Sequence, residues 1–172
     1  MFQLNSEQQI SLHKLSNFIE NTSFKCKLFS LVGPPGSGKT TIIKTLFSDE
    51  KYMKKHIALS ATTNKAVSVL KKYSDNKEKY SFLTIHKLLN IKRKIDESGR
   101  EVFETLIDDE SNNTFKAKSI FHYDIIVIDE ISMMNSSQLD YIKLNKEKIG
   151  LCILLGDRNQ LNPVDCDELD IL

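Results

Sequence analysis

What this chain lacks narrows what it does. Its 172 residues carry a formal net charge of +1, so no global field selects a partner, and any nucleic-acid surface must be a local patch. Lysines gather at 51, 54 and 55, at 71, 72, 77 and 79, and around Lys87, Lys92 and Lys94. Ordinary solvated faces account for most such runs. Cysteine is scarce. Cys26, Cys152 and Cys166 are odd in number and lack C-x-x-C spacing, which argues against a disulfide framework or a structural zinc site. Cys26 and Cys152 fall in or beside expected core strands and read as small buried hydrophobes. Reduced cysteines suit a cytoplasmic protein. The opening MFQLNSEQQI has neither the basic nor the apolar region of a signal peptide. The longest apolar runs, four to six residues, are far too short to cross a bilayer, so no membrane partner is expected. There is no internal repeat and no low-complexity tract. The length suits one domain, and 40% hydrophobic residues are enough for a core.

Against these absences stands LVGPPGSGKTT at 31–41. Gly33, Gly38, Lys39 and Thr40 fit G-x-x-x-x-G-K-[ST], the phosphate-binding P-loop. The run follows a strand-like stretch (27–32) and opens a helical one (40–47), as the motif requires. Glycines here let the chain wrap a phosphate closely. Together with Pro34, Pro35, Gly36, Ser37 and Thr41 they form the expected cradle. Loop N–H groups and the helix N-terminus point at the anion. Lys39 brings positive charge to the outer phosphates, and the Thr40 hydroxyl is the expected ligand of Mg²⁺.

Around that loop, apolar strands alternate with helical segments. An amphipathic helix is expected at 5–20, with Ile10, Leu12, Leu15, Phe18 and Ile19 as its apolar stripe and Asn5 or Ser6 as its cap. Further strands are expected at 56–60, 125–129 and 151–155, and helices at 64–73 and 136–145, with a short turn or helix at 84–89. Strands that are apolar throughout argue for a parallel sheet covered on both faces, and the alternation argues for right-handed βαβ crossovers. Residues 92–119 break the rhythm. IKRKI (91–95) and REVFET (100–105) read as a small β-hairpin, followed by a loop with a short strand near Phe115.

Two strand ends carry further chemistry. IIVIDE (125–130) finishes in carboxylates at the sheet's carboxyl edge, where α/β folds place ligands. Asp129 is the expected metal ligand opposite Thr40, and Glu130 the base that orients and deprotonates the attacking water. LLGDRNQLNPV (154–164) repeats the pattern. Gln160 can bond the γ-phosphate or the lytic water and so sense cleavage. By spacing alone, a strand-end turn capped by Asp157 fits equally well.

In order along the chain, these segments resemble superfamily 1 helicases, particularly the 5′-to-3′ branch that contains phage Dda and bacterial RecD. LNSEQ (4–8) looks like the group's N-terminal glutamine motif, which implies that Gln8 reads adenine. GPPGSGKTT looks like motif I, IDEISMM (128–134) like motif II, and GDRNQLNPV (156–164) like motif III. SATTNKAV (60–67) resembles motif Ia, although Thr62 stands where proline is usual. FLTIHKLL (82–89) resembles motif Ib. The likeness implies contacts from Thr62, Thr63, Asn64, Lys65, Thr84 and His86 to single-stranded DNA. It also gives Phe103, on the second hairpin arm, a place at the single-strand/duplex junction, where a ring stacks on any base. Packing of Phe103 onto the domain, and a structural role for His86, stand beside those readings.

The resemblance therefore implies a three-layer α/β RecA-like P-loop NTPase domain with a central parallel sheet of about five strands and a small β-hairpin insertion. Residues 1–91 and 120–172 would form the first motor domain of an ATP-dependent DNA helicase, and 92–119 the insertion. ATP and Mg²⁺ are the implied cofactors, with Lys39, Glu130 and Gln160 catalytic. Nothing here matches the second RecA-like domain of such helicases or its arginine, which contributes about 10³–10⁵ in rate in related systems. The expectation is a truncated piece that relies on a second domain in cis or on a partner, and alone binds ATP but hydrolyses it poorly. Two rivals stay open on the residues alone: a P-loop ATPase or switch with no nucleic-acid role, and an inactive nucleotide-binding interaction module. The motif Ia and Ib segments oppose the first. The intact pair Asp129 and Glu130 opposes the second.

Overall fold

The structure is a computed structural model that describes residues 4–21, 28–74, 78–95, 99, 101–105, 120–157 and 167–170. Six parallel strands form the central sheet: β1 (Leu28–Val32), β2 (Ile57–Ala61), β3 (Tyr80–Thr84), β6 (Ile125–Asp129), β7 (Leu151–Gly156) and β8 (Asp167–Asp170). Their spatial order is β3-β2-β6-β7-β1-β8. A separate antiparallel hairpin, β4 (Ile91–Ile95) with β5 (Glu101–Thr105), follows β3 in the chain. The short strand expected near Phe115 lies outside the described residues, as do Cys26 and Cys166.

Apolar side chains cover both faces. One face carries α1 (Ser6–Glu20), α2 (Lys39–Phe47) and α3 (Asn64–Tyr73), whose Leu15, Ile42, Leu46 and Leu70 pack on Phe29, Leu59 and Val127 of the sheet. The other carries α4 (Ile85–Leu88) and α5 (Ser136–Leu144), with Leu88 and Ile142 on Ala58, Ile126 and Leu154. β1 and β2 are buried at every position, the burial that continuous apolar runs predict. Cys152 is fully buried in β7. Among the described residues no helix is long and apolar enough to cross a membrane.

β3 and β8 are additions to the expected strands. β3 is half-buried along its whole length, an edge strand whose Tyr80 and Phe82 rings meet edge to face at 6.2 Å. DELD in β8 is acidic, a composition depleted in strands, and it enters the sheet by pairing with β1.

Register decides where the chemistry goes. Val32 of β1 is level with Gly156 of β7, Ile128 of β6 with Leu154 of β7, Asp129 with Ala61 of β2, and Ala61 with Thr84 of β3. The carboxyl ends of five strands are therefore almost flush along one edge.

Candidate active site

Along that edge the strand ends and the segments after them stand in a fixed order: Thr84 ending β3 with Ile85 and His86 after it, Thr62 to Lys65 after β2, Glu130 after β6, Asp157 after β7, and the glycine loop after β1. One strand, β7, separates β1 from β6, so the loop and the acidic pair face each other across two strand spacings, roughly 10 Å.

The loop is shaped by its own backbone. Gly36 and Gly38 take φ of 80° and 87°, the left-handed region that favours glycine. Gly38 is the N-cap of α2, and its carbonyl accepts the Ile42 N–H at 2.9 Å. The Ser37 N–H donates to the Pro34 carbonyl, and the Gly33 N–H to the Gly156 carbonyl at 3.1 Å, which pins the loop to the end of β7. Lys39 turns back into this ring. Its Nζ donates to the carbonyls of Gly33 (2.7 Å) and Pro34 (3.0 Å) and to Ser37 Oγ (3.4 Å). Burial pushes the Lys39 ammonium below its ordinary pKa, while the charges of Asp129 and Asp157 pull it back up. The Lys39 ammonium therefore feels a carboxylate at the end of β6 and another just after β7.

Gln8 braces the loop from outside. Asn5 caps α1 in a box: the Gln8 N–H donates to Asn5 Oδ1 at 2.8 Å, and the Asn5 N–H to Gln8 Oε1 at 3.1 Å. That fixes the amide so that Nε2 donates to the Ser37 carbonyl at 3.0 Å. A Cβ on Gly38 would meet Gln8 Nε2 at 2.4 Å. The residue implied as the adenine reader thus has both amide ends engaged, one with its own helix cap and one with the loop.

Asp129 and Glu130 divide the work of the acidic end. Asp129 is half-buried, and that burial raises its pKa above the ordinary value; the Glu130 charge adds to the rise, while the Glu130 N–H and the Lys39 charge oppose it. The Glu130 N–H donates to Asp129 Oδ1 at 2.9 Å. Glu130 itself is exposed and sits in the left-handed region at φ 56°, ψ 47°. A non-glycine residue held there is typical of functional turns. Thr40, Asp129 and Glu130 all line the end of one cavity.

Other expected residues divide. Thr63 Oγ1 caps α3 by accepting the Ala66 N–H at 3.1 Å, and Asn64 and Lys65 are exposed beside it. Thr62 Oγ1 is buried and without a hydrogen-bond partner among the described residues. His86 lies 3.3 Å from Nε2 of the buried Gln138. Gln138 completes a second capping box with Asn135, which occupies its Oε1 and leaves Nε2 as donor to His86. Sequence reading missed Gln138, although asparagine followed three residues later by glutamine is a box signature. Phe103 falls on β5, level with Arg93 of β4. Gln160 lies outside the described residues.

With this geometry in place, the comparisons with known proteins decide the family. An AAA domain matches residues 17–165. This chain belongs to the AAA domain family. Within it, the chain is a RecA-like domain of the superfamily 1 helicase type, as its motifs implied. It is 30% identical over 178 residues to RecBCD enzyme subunit RecD of Buchnera aphidicola subsp. Acyrthosiphon pisum, covering 92% of this chain and 26% of that protein. The Schizaphis graminum subspecies counterpart is 34% identical, over 78% of this chain and 23% of its own length. The chain therefore spans about a quarter of the curated relatives it matches. Among solved structures, Bacteroides sp Pif1 in complex with ADP-AlF4 superposes with a TM-score of 0.58 at 24% identity, over 97% of this chain and 35% of that one. The Sulfolobus solfataricus SWI2/SNF2 ATPase core in complex with dsDNA gives 0.53 at 16% identity, over 90% and 32%. These two likenesses bear on fold. The RecA-like three-layer architecture is as expected, and the family's P-loop makes the chain a nucleotide-binding domain.

Proposed function

We propose that this chain is the ATP-binding motor domain of an intracellular DNA helicase that steps along single-stranded DNA, working with a second RecA-like domain. The observation that carries this reading is the flush edge. It sets the glycine loop and the pair Asp129 and Glu130 on either side of the end of β7, with the motif Ia and Ib segments continuing along the same edge. RecD of RecBCD supports the helicase reading by likeness. The boundaries stay as read from sequence, a motor core of 1–91 and 120–172 with 92–119 as a hairpin insertion that acts at the single-strand/duplex junction.

The donor set fits magnesium. Thr40 offers a hydroxyl and Asp129 a carboxylate to the same cavity, both hard oxygen donors. Among the described residues no cluster of three or more acidic, histidine or cysteine side chains could hold a metal. Such a sparse set suits an ion bound chiefly by phosphate oxygens and water. When bound, magnesium would neutralise charge on the outer phosphates. Lys39 would exchange the Gly33 and Pro34 carbonyls for phosphate oxygens. Glu130 would take a proton from the water whose oxygen attacks the γ-phosphorus as the bond to the bridging oxygen breaks. Gln8 would have to trade its present partners to meet adenine. Gln160 keeps its proposed role as sensor of the γ-phosphate.

On the DNA side, the orphaned Thr62 hydroxyl and the exposed start of α3 support a strand phosphate at Thr62 to Lys65, with Thr84, His86 and Phe103 further along the track. The test is Glu130→Gln in the two-domain protein. ATP-analogue binding is expected to persist while DNA-stimulated hydrolysis falls by about 10²–10⁴. An unchanged rate would remove Glu130 from its role.

A further inference from the structure

Gln138 is 4% exposed, and among the described residues it is the one buried side chain that carries an amide. An amide keeps such a place only when both its ends have partners. Those of Gln138 lead to two different elements. Its Oε1 accepts the Asn135 N–H at 3.3 Å, and its backbone N–H donates to Asn135 Oδ1 at 2.9 Å, the box that starts α5. Its Nε2 lies 3.3 Å from Nε2 of His86, in α4 and 52 residues earlier in the chain. The proposed chemistry uses His86 but leaves Gln138 without a part.

The direction of the His86 bond follows from chemistry. An amide nitrogen only donates, so the ring nitrogen facing it must accept, and the proton of the neutral ring belongs on Nδ1. On the other side, Gln138 is joined to Glu130 by continuous structure. Glu130 opens a 3-10 turn, Ile131–Met133. Its carbonyl accepts the Met133 N–H at 3.0 Å, and the Ile131 carbonyl accepts the Met134 N–H at 3.0 Å. Asn135 follows directly as the cap of α5. Beneath this path, Ile131 and Met134 are buried in one apolar cluster with Ile85 and Leu88 of α4. The turn that carries Glu130 and the helix that carries His86 therefore share a packed base, and Gln138 adds a polar link between them.

We propose that Gln138 is a positioning residue through which single-stranded DNA at His86 acts on Glu130. The inference rests on the motor reading, which puts His86 on the strand's track. One ring nitrogen cannot accept from Gln138 and donate to a strand phosphate at the same time. A phosphate that takes His86 Nε2 as its donor releases the Gln138 amide, and the ring proton passes from Nδ1 to Nε2 by exchange with water. A buried N–H left without a partner is costly, so the capping box resettles, and with it the turn that aims Glu130. The bond made and the bond broken are the two discrete arrangements that such coupling requires.

Two measurements test it. The first is NMR of the nitrogen-labelled histidine rings of this chain, in mildly alkaline buffer where an ordinary imidazole is neutral. His86 is expected to carry its proton on Nδ1 and none on Nε2. Gln138→Glu turns the donor into an acceptor yet keeps the box, which glutamate closes as well as glutamine does. In that variant the proton is expected on Nε2. The second measurement is hydrolysis by the two-domain protein with saturating single-stranded DNA. A strand phosphate must then compete with the new carboxylate for the ring, so Gln138→Glu is expected to lower the ratio of DNA-stimulated to unstimulated rate about tenfold. His86→Ala is expected to lower it to a similar degree, and the double variant no further than either alone. Circular dichroism melts confirm that each variant is folded. A wild-type ring protonated on Nε2, or full stimulation in both folded single variants, overturns the proposal. Failure of the motor reading looks different: unchanged hydrolysis in Glu130→Gln removes the coupling together with its target, whereas these variants test the link with Glu130 intact.

Discussion

Asp129 sits where burial and charge pull in opposite directions. Its raised pKa means that the folded chain holds this proton more tightly than the unfolded chain does. Between the two values the folded state binds more protons, so stability falls as pH rises through that window, and the penalty is complete above it. Asp129→Asn is therefore expected to melt at a higher temperature than the wild type at neutral pH, measured in a chelator. The gap should close on the acid side, where Asp129 is itself protonated. A variant that melts lower at neutral pH would mean that the Glu130 N–H and Lys39 outweigh burial. Most of this site was legible residue by residue, because a P-loop and a strand-end acidic pair are defined by local spacing. The engagement of Gln8 with Ser37 was not. It depends on how α1 packs beside a loop 29 residues away, and no local pattern encodes that distance.

At the scale of elements, α1 is more than a cover for the sheet. Its capping box fixes the Gln8 amide, and that amide holds the loop. Asn5→Ala is expected to reduce stability by about 1 kcal/mol in urea unfolding, the usual weight of an N-cap. It is also expected to weaken ATP-analogue binding, which a cap remote from the site would leave unchanged. The junction between β6 and β7 depends on Gly150. A Cβ there would lie 2.2 Å from the Tyr123 carbonyl oxygen and 2.4 Å from that of Asp124. Backbone cannot rotate aside as a side chain does, so the starts of the two strands would have to part. Gly150→Ala is expected to destabilise the chain by roughly 1–3 kcal/mol in the same assay. Buried strands were visible in the sequence because continuous apolar runs have few alternative uses. β3 and β8 were not: a half-buried edge and an acidic segment owe their strand character to β2 and β1, and pairing partners of that kind leave no local mark.

The whole molecule is a parallel sheet with its chemistry on one edge, and in the proposed motor that edge is closed by a second domain. This chain alone is expected to bind ATP and turn it over slowly, and the full two-domain protein to hydrolyse it about 10³–10⁵ times faster in the presence of single-stranded DNA. Equal single-turnover rates for the two would show that no residue from outside this chain serves the reaction. The resting place of Lys39 bears on how such a motor repeats its stroke. When a product phosphate departs, the ammonium has carbonyl oxygens at 2.7 and 3.0 Å to fall back on, so the vacated loop has less reason to cling to the outgoing anion. A walker that takes many paces gains from a grip that releases as readily as it closes.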